Sequence, residues 1–389
     1  MHITEFTVAG LAGRREKLSQ VLYPDLNIFF GPNGSGKTSL LRILHSGLQR
    51  KASILTRTPF LHAEFKLFWN ANRTYSCSLD NTPEDTSGPE QSSVDSTVAL
   101  VAPSLASAMR EESKKTQREW VVTPNQTEGY RGWGHSYLPT TRLILGGPLS
   151  RNLFPPSSDE TELELDTYFQ SALQQLWSSY MSDVLEAVRK AQAEGLANIL
   201  RWIMTPKHKP AKPDDSMPDV DLAFTRVSAF LARQGAQAGL GSKTTFRRRY
   251  ARNKLLKGVV GYIDEVEQRI ERAMMPRNKL QELIQRLFTG NKVVSFTDTT
   301  INVVTDDNSS IGVANLSSGE KHVLRILVEA LQAGSGALLI DEPEISMHVD
   351  WQKELVPALQ AVNPNAQLII ATHSPEIMAD VDDSRIFRI

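Results

Sequence analysis

Short unbroken apolar runs occur near both ends of this chain, and amphipathic stretches fill its middle. Asp25-Leu26-Asn27-Ile28-Phe29-Phe30, Ala337-Leu338-Leu339-Ile340 and Gln367-Leu368-Ile369-Ile370-Ala371 predict strands buried on both faces. Met1-His2-Ile3-Thr4-Glu5-Phe6 reads as a further strand. Ala63–Trp69 and Arg73–Leu79 instead alternate apolar with polar, which predicts an antiparallel pair. Ser39–Leu44 carries helical spacing, and Val323, Leu324, Leu327, Val328 and Leu331 place one apolar face on a helix over Lys321–Gln332. From about residue 160 to 290 strand alternation disappears. Leu173, Leu176, Tyr180, Val184 and Val188 keep helical spacing there, as do Val260, Ile263, Val266, Ile270 and Met274. Pro206, Pro210, Pro213 and Pro218 mark a linker between them. Residues 80–97, rich in Pro, Ser and Asp, predict an exposed or disordered loop. Val293–Phe296 and Ile301–Val304 return to strands. The pattern predicts an α/β fold with an inserted helical subdomain.

Chemistry gathers at the ends of the apolar runs. Gly31-Pro32-Asn33-Gly34-Ser35-Gly36-Lys37-Thr38, followed by Ser39, matches G-x-x-x-x-G-K-[ST] between a strand and a helix. Its glycines let successive N–H groups converge on one anion, and the helix adds its positive end. Lys37 would reach the β- and γ-phosphates, and the Thr38 hydroxyl would ligate Mg²⁺. Asp341 ends an apolar strand where it can hold that ion, and Glu342 beside it suits a general base acting on water. Pro343 then stops the strand. Leu316-Ser317-Ser318-Gly319-Glu320 opens the helix before that strand. Its Ser-x-x-Glu spacing is a capping box, and a serine with free N–H groups at a helix start is also an anion site. His373, in Thr372-His373-Ser374-Pro375, stands at the end of the last apolar run.

Together these motifs resemble the nucleotide-binding domain of ABC ATPases, most of all the RecF/SMC/OLD-like branch. The resemblance covers both ends of the chain well and the middle poorly. It implies a P-loop NTPase of ABC type with an accessory antiparallel sheet, binding ATP and Mg²⁺ and hydrolysing ATP. It further implies His373 as a switch histidine on the γ-phosphate, and Ser317, Ser318, Gly319 and Glu320 as a signature facing the nucleotide of a second subunit. Two chains would then sandwich two nucleotides head to tail, as a homodimer or within a higher oligomer. Glu344–Gln352 resembles the branch's counterpart of the ABC D-loop, with Val349 replacing the usual proline and His348 standing where many transporters carry Asp. Tyr137-Leu138-Pro139-Thr140-Thr141-Arg142 resembles a segment that ends a central strand in this branch, and Arg142 is a candidate near the nucleotide or interface. The expected divisions are an N-terminal lobe at 1–155, a helical insertion at 156–290 and a C-terminal lobe at 291–389.

Composition narrows the setting. The chain of 389 residues has a formal net charge of −1, so it carries no global polyanion-binding signal. Its single cysteine, Cys77, excludes an intrachain disulfide framework and fits a reducing cytoplasm. No signal peptide and no apolar run of the ~20 residues a membrane span needs can be read. One local cluster departs from neutrality: Lys243, Arg247, Arg248, Arg249, Arg252, Lys254 and Lys257 occur without an acid among them, interleaved with Phe246 and Tyr250. Phosphate contacts with aromatic stacking would use such a segment, and so would a solvated helix face or a docked acidic protein. No Toprim or other nuclease motif is present. By resemblance the chain is therefore expected to control a separate effector, a nuclease or toxin, as in two-gene bacterial antiphage systems such as PARIS or Septu. A RecF-like DNA-repair ATPase and a scaffold with negligible turnover are the competing readings.

Overall fold

The computed structural model describes residues 1–69, 73–81, 119–124, 133–139, 162–204, 219–233, 235, 241–288 and 290–389. Arg142, the 80–97 loop beyond Asn81 and the proline-marked linker lie outside them. The chain opens with β1 (His2–Ala9), β2 (Lys17–Val21), β3 (Leu26–Phe30) and α1 (Lys37–Gln49). Strands β4 (His62–Trp69), β5 (Arg73–Asp80), β6 (Val121–Thr123) and β7 (His135–Leu138) follow. Four helices come next: α2 (Glu162–Met204), α3 (Val220–Arg233), α4 (Lys243–Arg252) and α5 (Lys254–Leu287). Short strands β8 (Lys292–Phe296), β9 (Ile301–Thr305) and β10 (Ser310–Ile311) lead to α6 (Ser318–Gln332). The last elements are β11 (Ala337–Asp341), α7 (Val349–Val362), β12 (Gln367–Thr372), α8 (Pro375–Met378) and β13 (Ile386–Arg388). The chain is therefore α/β.

Two sheets of opposite character share one core. Strands β13-β3-β12-β11-β7 form a sheet in which every pairing is parallel. Strands β11 and β12 are buried at every position, which explains their unbroken apolar runs. The second sheet, β2-β1-β4-β5-β6, is antiparallel throughout. Helix α1 packs among them with Leu40, Leu41, Ile43, Leu44 and Leu48 fully buried. Gly47 marks its closest approach, since a Cβ there would lie 2.1 Å from the Phe65 ring on β4. Gln367 ties the sheets by polar contacts inside this core: its Oε1 accepts from Ile3 N at 2.7 Å, and its Nε2 donates to Ile3 O at 2.8 Å and Tyr23 O at 2.7 Å. Among the described strands β7 lies at an edge, not in the centre as the branch pattern implied.

The chain divides into two compact units, one of residues 1–173, 286–293 and 303–389, the other of 174–285 and 294–302. The second unit is built on helices. Ile199, Val227, Phe230, Phe246, Tyr250, Val260, Ile263, Val266 and Ile270 form its core. Gly195 of α2 lets Val266 of α5 approach so closely that a Cβ would meet its Cγ2 at 2.0 Å. No described helix is long and apolar enough to cross a membrane.

Candidate nucleotide site

Parallel strands deliver their C-terminal ends to one edge, and that edge is where ligands bind in open α/β sheets. Register aligns Phe30 with Thr372 and Ala371 with Asp341, so β3, β12 and β11 present the P-loop, His373 and the Asp341–Glu342 pair side by side. The loop after β3 turns through Gly34 at φ +79° and Gly36 at φ +100°, conformations an L side chain resists. Ser35 N donates to Pro32 O at 3.2 Å and closes the turn. The Ser35 hydroxyl is buried with no hydrogen-bond partner among the described residues. A Cβ on Gly31 would stand 2.9 Å from that hydroxyl, so the cradle admits no side chain there. Gly36 caps α1 without a side-chain hydrogen bond. The first-turn N–H groups of α1 have no intrahelical acceptor. Lys37 is buried, and its Nζ donates to Gly31 O at 2.7 Å and Pro32 O at 3.1 Å.

The residues suited to a cation meet this cradle from β11. Thr38 Oγ1 donates to Asp341 Oδ1 at 3.1 Å, joining two oxygen donors 303 positions apart in sequence. Asp341 is buried. Glu342 then takes φ +50°, a left-handed conformation costly for a non-glycine residue, while its N–H still donates to Ala371 O at 2.7 Å. The ladder to β12 thus extends one residue past the strand before the chain turns at Pro343. An oxygen pair, a buried unpaired hydroxyl and free amides fit a magnesium-bound nucleoside triphosphate. Burial and the nearby Asp341 carboxylate push the Tyr137 phenol upward, so it stays protonated behind the site. Among the described residues no cluster of three His, Cys, Asp or Glu side chains forms a separate metal centre.

The sequence reading passed over Glu344 as an individual residue. Its buried carboxylate collects the end of β12: Oε1 accepts from Thr372 Oγ1 at 2.7 Å and from His373 N at 2.8 Å. His373 Nδ1 lies 3.0 Å from the same oxygen and 3.8 Å from Glu342 Oε1. Glu344, not Glu342, is thus the closer acid to the imidazole. Its Oε2 is buried with no partner among the described residues. The available signal was the third acid in Asp341-Glu342-Pro343-Glu344. His322 of α6 supports the same turn through Nε2 and Pro343 O at 2.8 Å, and burial lowers its pKa.

The signature segment has a different local geometry. Ser317 caps α6 by accepting from Glu320 N at 3.3 Å, and Glu320 Oε2 accepts from Ser317 N at 2.6 Å, completing the capping box. Lys292 Nζ lies 3.1 Å from Glu320 Oε2. Ser317 and Ser318 are exposed, whereas Gly319 is buried. His348 caps α7, its Nδ1 accepting from Asp350 N at 3.4 Å. In the helical unit, Arg247, Arg248, Arg249, Arg252 and Lys254 are all exposed. Phe246 and Tyr250 are not available for base stacking: both are buried, stacked on each other at 5.7 Å, with Phe224 at 5.4 Å from Phe246. Their i, i+4 spacing forms the apolar face of α4.

Among the comparisons with known proteins, the family match covers the C-terminal part of this geometry. Residues 214–379 match the family model "AAA domain, putative AbiEii toxin, Type IV TA system", a span that includes the signature, Asp341 and His373 but not the P-loop. The "Retron Ec83 probable ATPase" of Escherichia coli is 31% identical over 98 residues, 22% of this chain and 18% of that protein. The "Retron Vc95 probable ATPase" of Vibrio cholerae is 31% identical over 96 residues, 21% of this chain and 19% of that protein. The matches thus span less than a fifth of either relative's length. Among solved structures, the Smc head domain from Pyrococcus furiosus bound to the C-terminal domain of ScpA gives a TM-score of 0.43 at 11% identity, covering 97% of this chain and 91% of that one. The SMC head domain from Thermotoga maritima gives 0.42 at 10%, covering 98% and 93%.

Proposed function

We propose that this chain is an ATP-binding and ATP-hydrolysing switch. The observation that carries the reading is the pairing of Thr38 Oγ1 with Asp341 Oδ1 at 3.1 Å, beside a P-loop with glycine-only torsions. The amides of Asn33, Gly34, Gly36 and Thr38 would hold the phosphates, with Lys37 shifting its ammonium from the loop carbonyls to the β/γ-bridging region. Thr38 and Asp341 would hold Mg²⁺, which when bound neutralises charge on the phosphate oxygens. Glu342 would take the proton of the attacking water. Glu344 would orient His373 by accepting a hydrogen bond from Nδ1–H, and a protonated Nε2 could then donate to the γ-phosphate.

In this reading two chains close head to tail, Ser317 and Gly319 of one completing the site of the other, and ATP favours the closed pair because both chains contact it. Loss of the γ-phosphate would release it. The curated relatives bear names that tie them to retrons, and the matched model names a toxin system. Those names support a bacterial defence setting in which this ATPase controls a separate nuclease or toxin.

Glu342→Gln tests the chemistry. The purified variant should keep ATP affinity while phosphate release falls by about 10²–10⁴-fold. It should also accumulate an ATP-dependent dimer in light scattering. Phosphate release at the wild-type rate would remove Glu342 as the base. A variant that remains monomeric at saturating ATP would remove the sandwich.

A further inference from the structure

The nucleotide site absorbs the motifs at both ends of the chain but leaves the positive charge of the helical unit unused. Between Asp221 and Asp264 the sequence has no acid and nine Lys or Arg residues. Three of the nine are neutralised inside the unit. Arg226 pairs with Asp264, Arg233 Nη1 lies 2.7 Å from Glu267 Oε2, and Lys243 Nζ lies 3.2 Å from Asp221 Oδ1. Arg247, Arg248, Arg249, Arg252 and Lys254 pair with no carboxylate among the described residues. The acids nearest in sequence, Asp221, Asp264 and Glu265, are already engaged with other cations, so pairing with them does not account for this group.

The fold concentrates these cations at one corner. Burying Phe246 and Tyr250 turns Arg248, Arg249 and Arg252 to the outside of α4. The chain then breaks at Asn253, with φ −108° and ψ 105°, and its Oδ1 accepts from Leu256 N at 3.2 Å as α5 begins. Arg248, Arg249, Arg252, Asn253, Lys254 and Leu255 line an open recess of about 600 Å³ at this corner. Guanidinium forks and an ammonium therefore line a common space, and both groups donate to phosphate oxygens. Arg248 and Arg252 stand four residues apart, about 6 Å along the helix axis, so both can meet phosphates of one strand, which recur every ~3.4 Å along a duplex axis.

The lining also discriminates among anions. It offers no aromatic ring on which a base could stack, and its open form would not enclose a free nucleotide. A row of exposed cations with no aromatic ring in the lining suits a repeating polyanion bound through its backbone. We propose that the corner between α4 and α5 binds the phosphodiester backbone of a nucleic acid, without reading its bases.

Fluorescence anisotropy with a labelled single-stranded DNA, the matching RNA and the DNA duplex tests this on the full chain. The triple variant Arg248→Glu/Arg249→Glu/Arg252→Glu should bind at least about tenfold more weakly, and its slope of log affinity against log salt should fall by about 2–3. Its ATPase rate and circular dichroism should match wild type, which separates this proposal from that of the nucleotide site. If the Glu variant misfolds, the corresponding triple Gln variant is measured in its place. The charge-reversal control Arg189→Glu/Lys190→Glu, on exposed positions of α2, should bind as wild type. The probe bound most tightly tells strand type and sugar. Equal affinity for wild type and the triple variant, an equal loss in the control, or no binding of wild type to any probe would overturn the proposal. Competition by polyglutamate as effective as by DNA would overturn it in favour of an acidic protein.

Discussion

Helices α1 and α6 both follow a small capping residue, Gly36 or Ser317, yet they treat their first turns in opposite ways. Gly36 precedes α1 at φ +100° and offers no side chain, so the N-terminal amides remain for a ligand. Ser317 and Glu320 close the start of α6 on themselves, and Lys292 balances the carboxylate. An anion at α1 meets free donors and a buried lysine. An anion at α6 meets only the amides a capping box does not use, next to an acid. The first end is built to bind phosphate by itself. The second is built to stay rigid, which suits a surface that completes a site formed elsewhere.

Lys37→Ala should break the comparison most deeply. It removes the charge now held by Gly31 O and Pro32 O. A charge-assisted hydrogen bond contributes roughly 1.5–3 kcal/mol, so ATP affinity should fall on the order of 10–100-fold in isothermal titration. Unchanged affinity would mean that the phosphates do not sit at α1.

How far this contrast was legible follows from the physics of each part. Phosphate binding demands glycine torsions and a helix start in consecutive residues, so Gly31–Thr38 carries its function in local sequence. Parallel strands buried on both faces must be apolar throughout, so β11 and β12 were equally plain. Glu344 was hidden because its burial comes from a turn with Glu342 at φ +50°, which folds the third acid back under β12. Gln367 was hidden in the same way, as a polar residue opening an apolar run whose partners, Ile3 and Tyr23, lie over 340 positions away. Phe246 and Tyr250 misled because aromatic residues at i, i+4 among arginines fit both a stacking surface and an amphipathic helix. Only Phe224 and the surrounding helices decide between them.

Gly319→Ala should show how tightly the start of α6 is held. Its Cβ would fall 2.6 Å from Ser346 O, a backbone atom that cannot swing aside. Overpacking of this kind costs about 1–3 kcal/mol, measurable as a lower urea midpoint with an unchanged slope. A midpoint equal to wild type would mean that α6 yields freely, and the rigid half of the comparison would fail. Ser317→Ala should cost less, about 1 kcal/mol, through loss of the cap. It should leave ATP affinity of the single subunit unchanged, whereas Lys37→Ala does the reverse. A drop in single-subunit affinity from Ser317→Ala would place the signature in the same chain's site.

The smallest effect concerns the charge on Glu320. Burial opposes ionisation, but the Ser317 N–H and Lys292 outweigh it and hold the carboxyl below its ordinary value of 4.5. A carboxyl depressed in the folded state adds stability above its unfolded pKa, and that contribution is lost as pH falls through the folded pKa. Glu320→Gln keeps an acceptor for Ser317 N and removes only the charge, so near pH 7 it should cost on the order of 0.5 kcal/mol. The gap between wild type and variant in thermal unfolding should stay constant from neutrality to about pH 5, then close below the ordinary carboxylate value. No comparable acid caps α1, where Gly36 offers no titrating group. A gap that remains open well below pH 4 would show that shape and not charge joins Glu320 to the start of α6. The two helix ends would then differ only in their backbone torsions.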